Sequence, residues 1–205
     1  MLSATIAIIV SYLLGSVSFS ILMARWLRKI DIRDFGSGNA GATNTLRVLG
    51  KGPALLVFLL DFAKGSVGAL IGMGLGDGHH WVPVACGLAA IAGHNWPIYF
   101  RFKGGKGIAT TVGALVIWGF LPTLIAGLVA IAVIALTKYV SLGSMILGVL
   151  LPILFYAFDL NAAYVWGAVV VGALALVRHR KNIVKLANGT ENKLGGGKKG
   201  EPHGA

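Results

Sequence analysis

Residues 108–136 read IATTVGALVIWGFLPTLIAGLVAIAVIAL, and the way that stretch divides decides the fold. As one helix it would run roughly 43 Å at about 1.5 Å per residue, too long for a bilayer core of about 30 Å and short for two full spans. Gly119 and Pro122 bracket a turn, so two short helices are expected. Further apolar runs cover 3–23, 53–75, 81–100, 140–158 and 162–177. Lysine and arginine gather between Arg25 and Lys51, at Arg101, Lys103 and Lys106, at Lys138, and from Arg178 onward. The intervening loops carry Asp77 and Asp159 instead. Seven spans place every basic loop in the cytoplasm, whereas merging the pair at 108–136 would put two basic clusters outside. The expected fold class is an all-α integral membrane protein with seven transmembrane helices, two of them short, the N-terminus outside and the C-terminus cytoplasmic.

Composition agrees, with 56% hydrophobic and only 12% charged residues. No basic region precedes the first apolar run and no small-residue cleavage site precedes Arg25, so that run is expected to be kept as the first span rather than removed as a signal peptide. The single cysteine, Cys86, lies inside an apolar run, which excludes a disulfide framework. The chain is expected to form one transmembrane domain over 1–194, followed by a disordered Gly/Lys-rich tail over 195–205. A formal charge of +11, mostly on the cytoplasmic side, suits anionic lipid heads and anionic substrates. Nucleic acid is a poor partner, because the basic residues border spans and no soluble domain presents them.

Three polar, glycine-rich clusters then fall on one side of the membrane. In Gly36-Ser37-Gly38-Asn39-Ala40-Gly41-Ala42-Thr43-Asn44, small residues let the backbone turn sharply and aim N–H groups into a concavity that suits phosphate, or else form a flexible linker with an Asn/Ser cap. Arg47 and Lys51 follow on a helical continuation. The cluster lacks the Gly-x-x-x-x-Gly-Lys-Ser/Thr pattern of a nucleotide-binding loop. Lys103-Gly104-Gly105-Lys106-Gly107, followed by Ala109-Thr110-Thr111, sets two cations, bare backbone and hydroxyls at a helix start, where an anion is favoured. A plain basic loop would need the lysines but not the glycines. His94, before Asn95-Trp96-Pro97, reads either as an interfacial histidine beside an aromatic anchor or as a catalytic group. Arg178-His179-Arg180-Lys181-Asn182 alone reads as a positive-inside stop, although His179 and Asn182 share a face if the helix continues.

Elsewhere, Asp61 and Lys64 are three apart inside a span and are expected to pair structurally, because a lone charge at that depth is expensive. His79 and His80, beside Asp77, lie on the outer side with too few ligands for a metal site. Ser141 and Ser144, near an inner helix end, either cap the helix or line the site.

Taken together, the runs Gly36 to Arg47, Gly93-His94-Asn95-Trp96-Pro97 with Phe102 to Thr110, and Arg178-His179 with Asn182-Ile183 and Gly189-x-Glu191 resemble those of the PlsY family of bacterial membrane acyltransferases. Order and spacing match, and the resemblance extends from Met1 to about Leu194. It implies transfer of a fatty acyl group from acyl phosphate to the 1-hydroxyl of sn-glycerol 3-phosphate, giving lysophosphatidic acid and phosphate in the first acylation of phospholipid synthesis. It implies a multi-pass protein of the bacterial inner membrane with its active site on the cytoplasmic face. The implied partners are acyl phosphate, glycerol 3-phosphate and membrane lipid, with no cofactor, metal or obligate protein partner. The catalytic set carried over is Arg47, Lys106, Ser144, His179 and Asn182. The substrate-binding set is Ser37, Gly38, Asn39, Gly41, Thr43, Asn44, His94, Gly104, Gly105, Thr110 and Glu191.

Other acylation chemistries lack their motifs. No His-x-x-x-x-Asp occurs, since the residues five after His79, His80, His94 and His179 are Val84, Ala85, Tyr99 and Val184. No Gly-x-Ser-x-Gly elbow supports an acyl-enzyme. Acyl phosphate is a mixed anhydride with a good leaving group, so positioning and charge stabilisation suffice for direct attack. In the expected roles, Arg47 and Lys106 neutralise phosphate, Asn182 donates to the oxyanion, His179 orients the nucleophile, and the proton passes to the leaving phosphate. The rival from another class is an anion transporter or channel, which calls for an internal repeat with paired broken helices and a polar path across the membrane. The sequence has neither.

Overall fold

The computed structural model describes residues 2–195, and within them there are helices and turns but no strand. The tail expected to be disordered lies outside the described residues, save for Gly195. The helices are α1 (Leu2–Gly15), α2 (Phe19–Arg28), α3 (Ala42–Leu49), α4 (Lys51–Leu75), α5 (Trp81–Asn95), α6 (Ile108–Trp118), α7 (Phe120–Thr137), α8 (Val140–Ala157), α9 (Ala162–Arg178) and α10 (Arg180–Ala187). Short 3-10 turns occupy Ile32–Asp34 and Ile98–Phe100. Among the described residues, four helical stretches are long and apolar enough to cross a membrane: α1 with α2 as one stretch, α4, α7 and α8. The pair α9–α10, bent by 57°, makes a fifth if taken as one span.

The expected runs differ from these helices in three places. The first is interrupted at residues 16–18, where the Val17 carbonyl accepts from Lys64 Nζ at 2.8 Å. The run expected to reach Phe100 is helical only to Asn95, because Pro97 restricts Trp96 to non-helical backbone and is itself extended. The helix expected to carry His179 and Asn182 on one face instead bends at His179, which separates α9 from α10. The division at Gly119 is as the sequence indicates: α6 stops there and α7 starts one residue later. The Thr123 hydroxyl lies 2.7 Å from the Gly119 carbonyl and 3.0 Å from that of Leu115, so polar backbone at the break finds a partner inside the bundle.

The bundle is apolar outside as well as inside. Leu55, Leu59, Leu128, Ile153 and Trp166 are exposed, while Asp61, Lys64, His94, Asn95 and His179 are buried. Ile91, Leu115, Trp118, Leu147, Leu151, Phe155 and Val171 form a core joining α5, α6, α8 and α9. A smaller cluster of Ile21, Ala24, Ile32, Ala40, Val48 and Phe100 sits under the 29–50 segment and anchors it against the 3-10 turn ahead of Lys103.

With lipid on the outside, helices associate through close packing rather than by escaping water, so small residues mark the crossings. At the α4–α6 crossing, a Cβ on Gly65 would run into the Thr110 carbonyl, and one on Gly113 into that of Phe62. Ser66 Oγ donates to the Gly113 carbonyl at 2.9 Å across the same contact. Gly65→Ala is therefore expected to destabilise the protein by about 1–3 kcal/mol through overpacking, read as a lower midpoint of thermal unfolding in detergent. Gly74→Ala on the same helix meets open space, and should leave the midpoint unchanged or raise it.

Candidate active site

The three polar clusters, far apart in sequence, line one cavity of about 610 Å³. The first contributes the 36–44 loop and Arg47. Gly36 and Gly38 have φ of 62° and 68°, a region that favours glycine. Asn44 is the staple of this loop: its Nδ2 donates to the Ile32 and Phe35 carbonyls, both at 3.0 Å, and its Oδ1 accepts from Ser37 N–H at 2.7 Å. Gly38 N–H donates to Phe35 O and Gly41 N–H to Asn39 O. Those three amides, expected to aim outward, are thus bonded within the loop. Ser37, Gly38, Asn39, Gly41, Thr43 and Asn44 nonetheless line the cavity, and helix α3, which starts just beyond Gly41, carries Arg47 into it.

Gly104, Lys106 and Gly107 line the cavity in the second cluster, but Gly105 and Thr110, expected at the substrate, stand behind the wall. Gly105 N–H donates to the His94 carbonyl at 3.1 Å, and a Cβ on Gly105 would collide with His94 Nε2 and the Ala40 carbonyl. The glycine is there for close packing against His94 rather than for open backbone. Thr110 is buried, with its hydroxyl 3.3 Å from His94 Nδ1. Two arginines hold the loop by its carbonyls. Arg178 Nη2 donates to Gly105 O at 2.6 Å, and Arg33 Nη1 lies 3.1 Å from both Phe100 O and Lys103 O while Asp31 grips the rest of its guanidinium.

The third cluster closes the ring. Lys106 Nζ donates to Asn182 Oδ1 at 2.5 Å, Asn182 Nδ2 donates to Glu191 Oε1 at 2.7 Å, and Ser141 Oγ donates to the same oxygen at 2.8 Å. These bonds fix the Asn182 amide with its oxygen toward the lysine and leave it one further N–H. His179 Nδ1 lies 2.8 Å from the Ala175 carbonyl, which can only accept, so that nitrogen carries a proton and Nε2 is the free edge of a neutral ring. Ser144 Oγ donates to Val140 O at 2.8 Å and keeps its lone pairs. Burial pulls the Lys106 ammonium down to about 8, with Glu191 opposing and Arg47 adding to the fall.

The sequence does not assign every wall residue to the site: Lys185 and Arg180 line the cavity too, and three others are instructive. Arg178 had read as a stop signal, Ser141 was open between cap and site, and Asp61, expected to pair structurally with Lys64, does pair with it at 2.7 Å but also reaches the cavity. Asp61 carried a signal in the sequence, since a carboxylate inside a span points to a functional position. The same cavity is lined by apolar side chains as well, among them Phe58, Val112, Ile131, Ile134 and Leu147. Cationic and apolar walls in one cavity suit an amphiphile with a phosphorylated head.

A family model described as glycerol-3-phosphate acyltransferase matches residues 5–189. Glycerol-3-phosphate acyltransferases of Shouchella clausii and Halalkalibacterium halodurans are 55% and 51% identical to this chain, each comparison covering 92% of it and 94% of the relative. The crystal structure of PlsY, an integral membrane glycerol 3-phosphate acyltransferase, in its glycerol 3-phosphate form superposes with a TM-score of 0.89 at 40% identity, over 94% of this chain and 96% of that one. Its lysophosphatidic acid form gives a TM-score of 0.86 at 38% identity, over 93% and 95% of the two chains. With the ring of polar residues and these likenesses together, the chain belongs to the PlsY family of integral membrane glycerol-3-phosphate acyltransferases.

Proposed function

We propose that this protein transfers a fatty acyl group from acyl phosphate to the 1-hydroxyl of sn-glycerol 3-phosphate, releasing lysophosphatidic acid and inorganic phosphate. The observation that carries the reading is one cavity lined both by Arg47, Lys106, Arg178 and Lys185 and by Phe58, Val112 and Leu147. A phosphate head sits among the cations while an acyl chain lies between α4, α6, α7 and α8. The reading places the enzyme in the bacterial inner membrane as one domain over 1–194, with seven spans, its N-terminus outside and the site facing the cytoplasm, where glycerol 3-phosphate is available.

In this mechanism the 1-hydroxyl oxygen attacks the acyl carbonyl carbon, the bond from that carbon to the bridging phosphate oxygen breaks, and the hydroxyl proton passes to the departing phosphate. Arg47 and Lys106 offset phosphate charge. The second N–H of Asn182 donates to the developing oxyanion, and the free Nε2 edge of His179 accepts from the hydroxyl and orients it. Ser37, Asn39 and Thr43 supply side-chain hydroxyl and amide groups to phosphate, with Gly104 leaving room for it.

Purified protein in detergent, given palmitoyl phosphate and glycerol 3-phosphate, should release phosphate and lysophosphatidic acid in equal amounts. Lys106→Ala should lose about 10²–10³-fold in rate. Product from acyl-CoA but not from palmitoyl phosphate would overturn the donor. Phosphate binding with no product from either would favour the transporter.

Because the buried Lys106 titrates near 8, kcat/KM should fall as pH rises through about 8, where the free enzyme loses the ammonium that binds phosphate. A bound dianion favours the charged lysine, so the fall in kcat should lie at higher pH. Lys106→Arg should remove the falling limb at lower overall activity, since guanidinium stays charged. The proton route has its own test in His179→Gln. A residual rate nearly flat with pH supports transfer to the leaving phosphate, whereas a rise of about tenfold per pH unit would make His179 the general base.

A further inference from the structure

We propose that Asp61 is a positioning residue for phosphate binding: neutralised by Lys64, it fixes the His94 ring, and His94 in turn fixes the Gly104–Lys106 loop. Asp61 and Lys64 lie one turn apart on α4, 2% and 3% exposed, with Nζ 2.7 Å from Oδ1. The same ammonium donates to the Val17 carbonyl at the α1–α2 break and lies over the Phe19 ring, 5.4 Å from its centroid. Lys64 is thereby held by two elements besides its own, and its carboxylate partner is held with it.

The imidazole of His94, on α5, is engaged at both edges. Its Nδ1 lies 3.5 Å from Asp61 Oδ1 and 3.3 Å from Thr110 Oγ1, and its Nε2 edge packs against the Cα of Gly105. The residue's own carbonyl accepts Gly105 N–H. One side chain therefore touches the loop at Gly105 and the first turn of α6 at Thr110, on either side of Lys106. Asp61 is the acidic group that faces the Nδ1 edge of that ring.

Two buried charges are an expensive way to fill space between helices, and an apolar pair of similar volume often serves stability as well or better. Inside a membrane such charges are kept where they do a job. Here the carboxylate faces the Nδ1 edge of the ring at 3.5 Å, while the lysine keeps Asp61 from presenting net negative charge to a phosphate in the same cavity. Without the carboxylate, Thr110 alone holds the Nδ1 edge, and the packing of Gly105 on Nε2 loosens.

The inference rests on assigning the 103–107 loop to substrate phosphate, and the test separates the two. Glycerol 3-phosphate binding is measured by titration calorimetry, alongside KM, kcat and the thermal midpoint, for wild type, Asp61→Asn, Asp61→Asn/Lys64→Met, His94→Ala and Asp61→Asn/His94→Ala. Asp61→Asn is expected to weaken glycerol 3-phosphate binding and raise its KM by about tenfold, with kcat within about threefold, as for lost uniform binding. Asp61→Asn/Lys64→Met removes the orphaned ammonium, so it should recover the thermal midpoint but not the KM. With His94 already truncated, Asp61→Asn should add less than about twofold, since the two act as a unit. An unchanged KM in folded Asp61→Asn, a KM restored in the Lys64→Met double variant, or additive losses with His94→Ala would each reduce the pair to a structural filler and overturn the inference. If Lys106→Ala leaves glycerol 3-phosphate affinity intact, the assignment of the loop fails instead.

Discussion

The hydrogen bond from Lys106 to Asn182, between residues 76 positions apart, is the closure on which the site depends. Arg47, Lys106, Arg178 and Lys185 repel one another, and without an anion between them they would splay apart. Glu191 is the carboxylate that opposes them. One oxygen, accepting from Asn182 and Ser141, ties the segment after α10 to α8 and, through Asn182, to the 103–107 loop. Leu194 N–H donates to the Lys138 carbonyl at 2.7 Å and seals the same segment over the α7–α8 turn. The arrangement leaves the cations gathered and a net positive cavity, which a phosphorylated substrate completes.

Holding cations together in an apolar bundle requires rigid walls, and the walls come from close backbone contact. Pro152 has no N–H for the Gly148 carbonyl, and that carbonyl lies against Gly172 of α9, where a Cβ would collide with it. The absent intrahelical bond and the absent side chain meet at one crossing, the kind of compensation that lets proline persist in a buried helix. The 103–107 loop is made the same way. Its glycines let His94 and Ala40 press against it, while Arg33 and Arg178 take its carbonyls. A phosphate loop built on outward N–H groups needs free amides. Here Ser37, Gly38, Gly41 and Gly105 spend theirs inside the protein, so charged and polar side chains are left to line the cavity.

Much of this was legible in the chain because a membrane forces a simple code. Apolar length located the helices and Gly119 marked the break, while the basic loops grouped distant clusters on one side. What composition hides is geometry. The interruption after Gly15 depends on Lys64 reaching the Val17 carbonyl, a contact made 47 residues away. The bend at His179 left no mark in a sequence that continues in helix-forming residues. Arg178 looked like a topological signal because its partner is a backbone carbonyl, and a carbonyl has no sequence identity. Asn44 looked like a ligand for substrate and proves to be the staple of its own loop.

The proposed chemistry accounts for so sparse a site. Attack on an unactivated ester or amide calls for a base and an oxyanion hole to drive out a poor leaving group. In the reaction proposed above, acyl phosphate arrives with its leaving group activated and with oxygens able to take the proton, and on that reading the protein's task narrows to bringing two anions together. Their mutual repulsion is the main obstacle, and cations such as Arg47 and Lys106 in a water-poor cavity are the direct remedy. The carboxylates at the cavity wall fit this view: Glu191 is bonded to Asn182 and Ser141, and Asp61 is paired with Lys64. A free carboxylate base beside the phosphates would add the repulsion that the rest of the site exists to overcome.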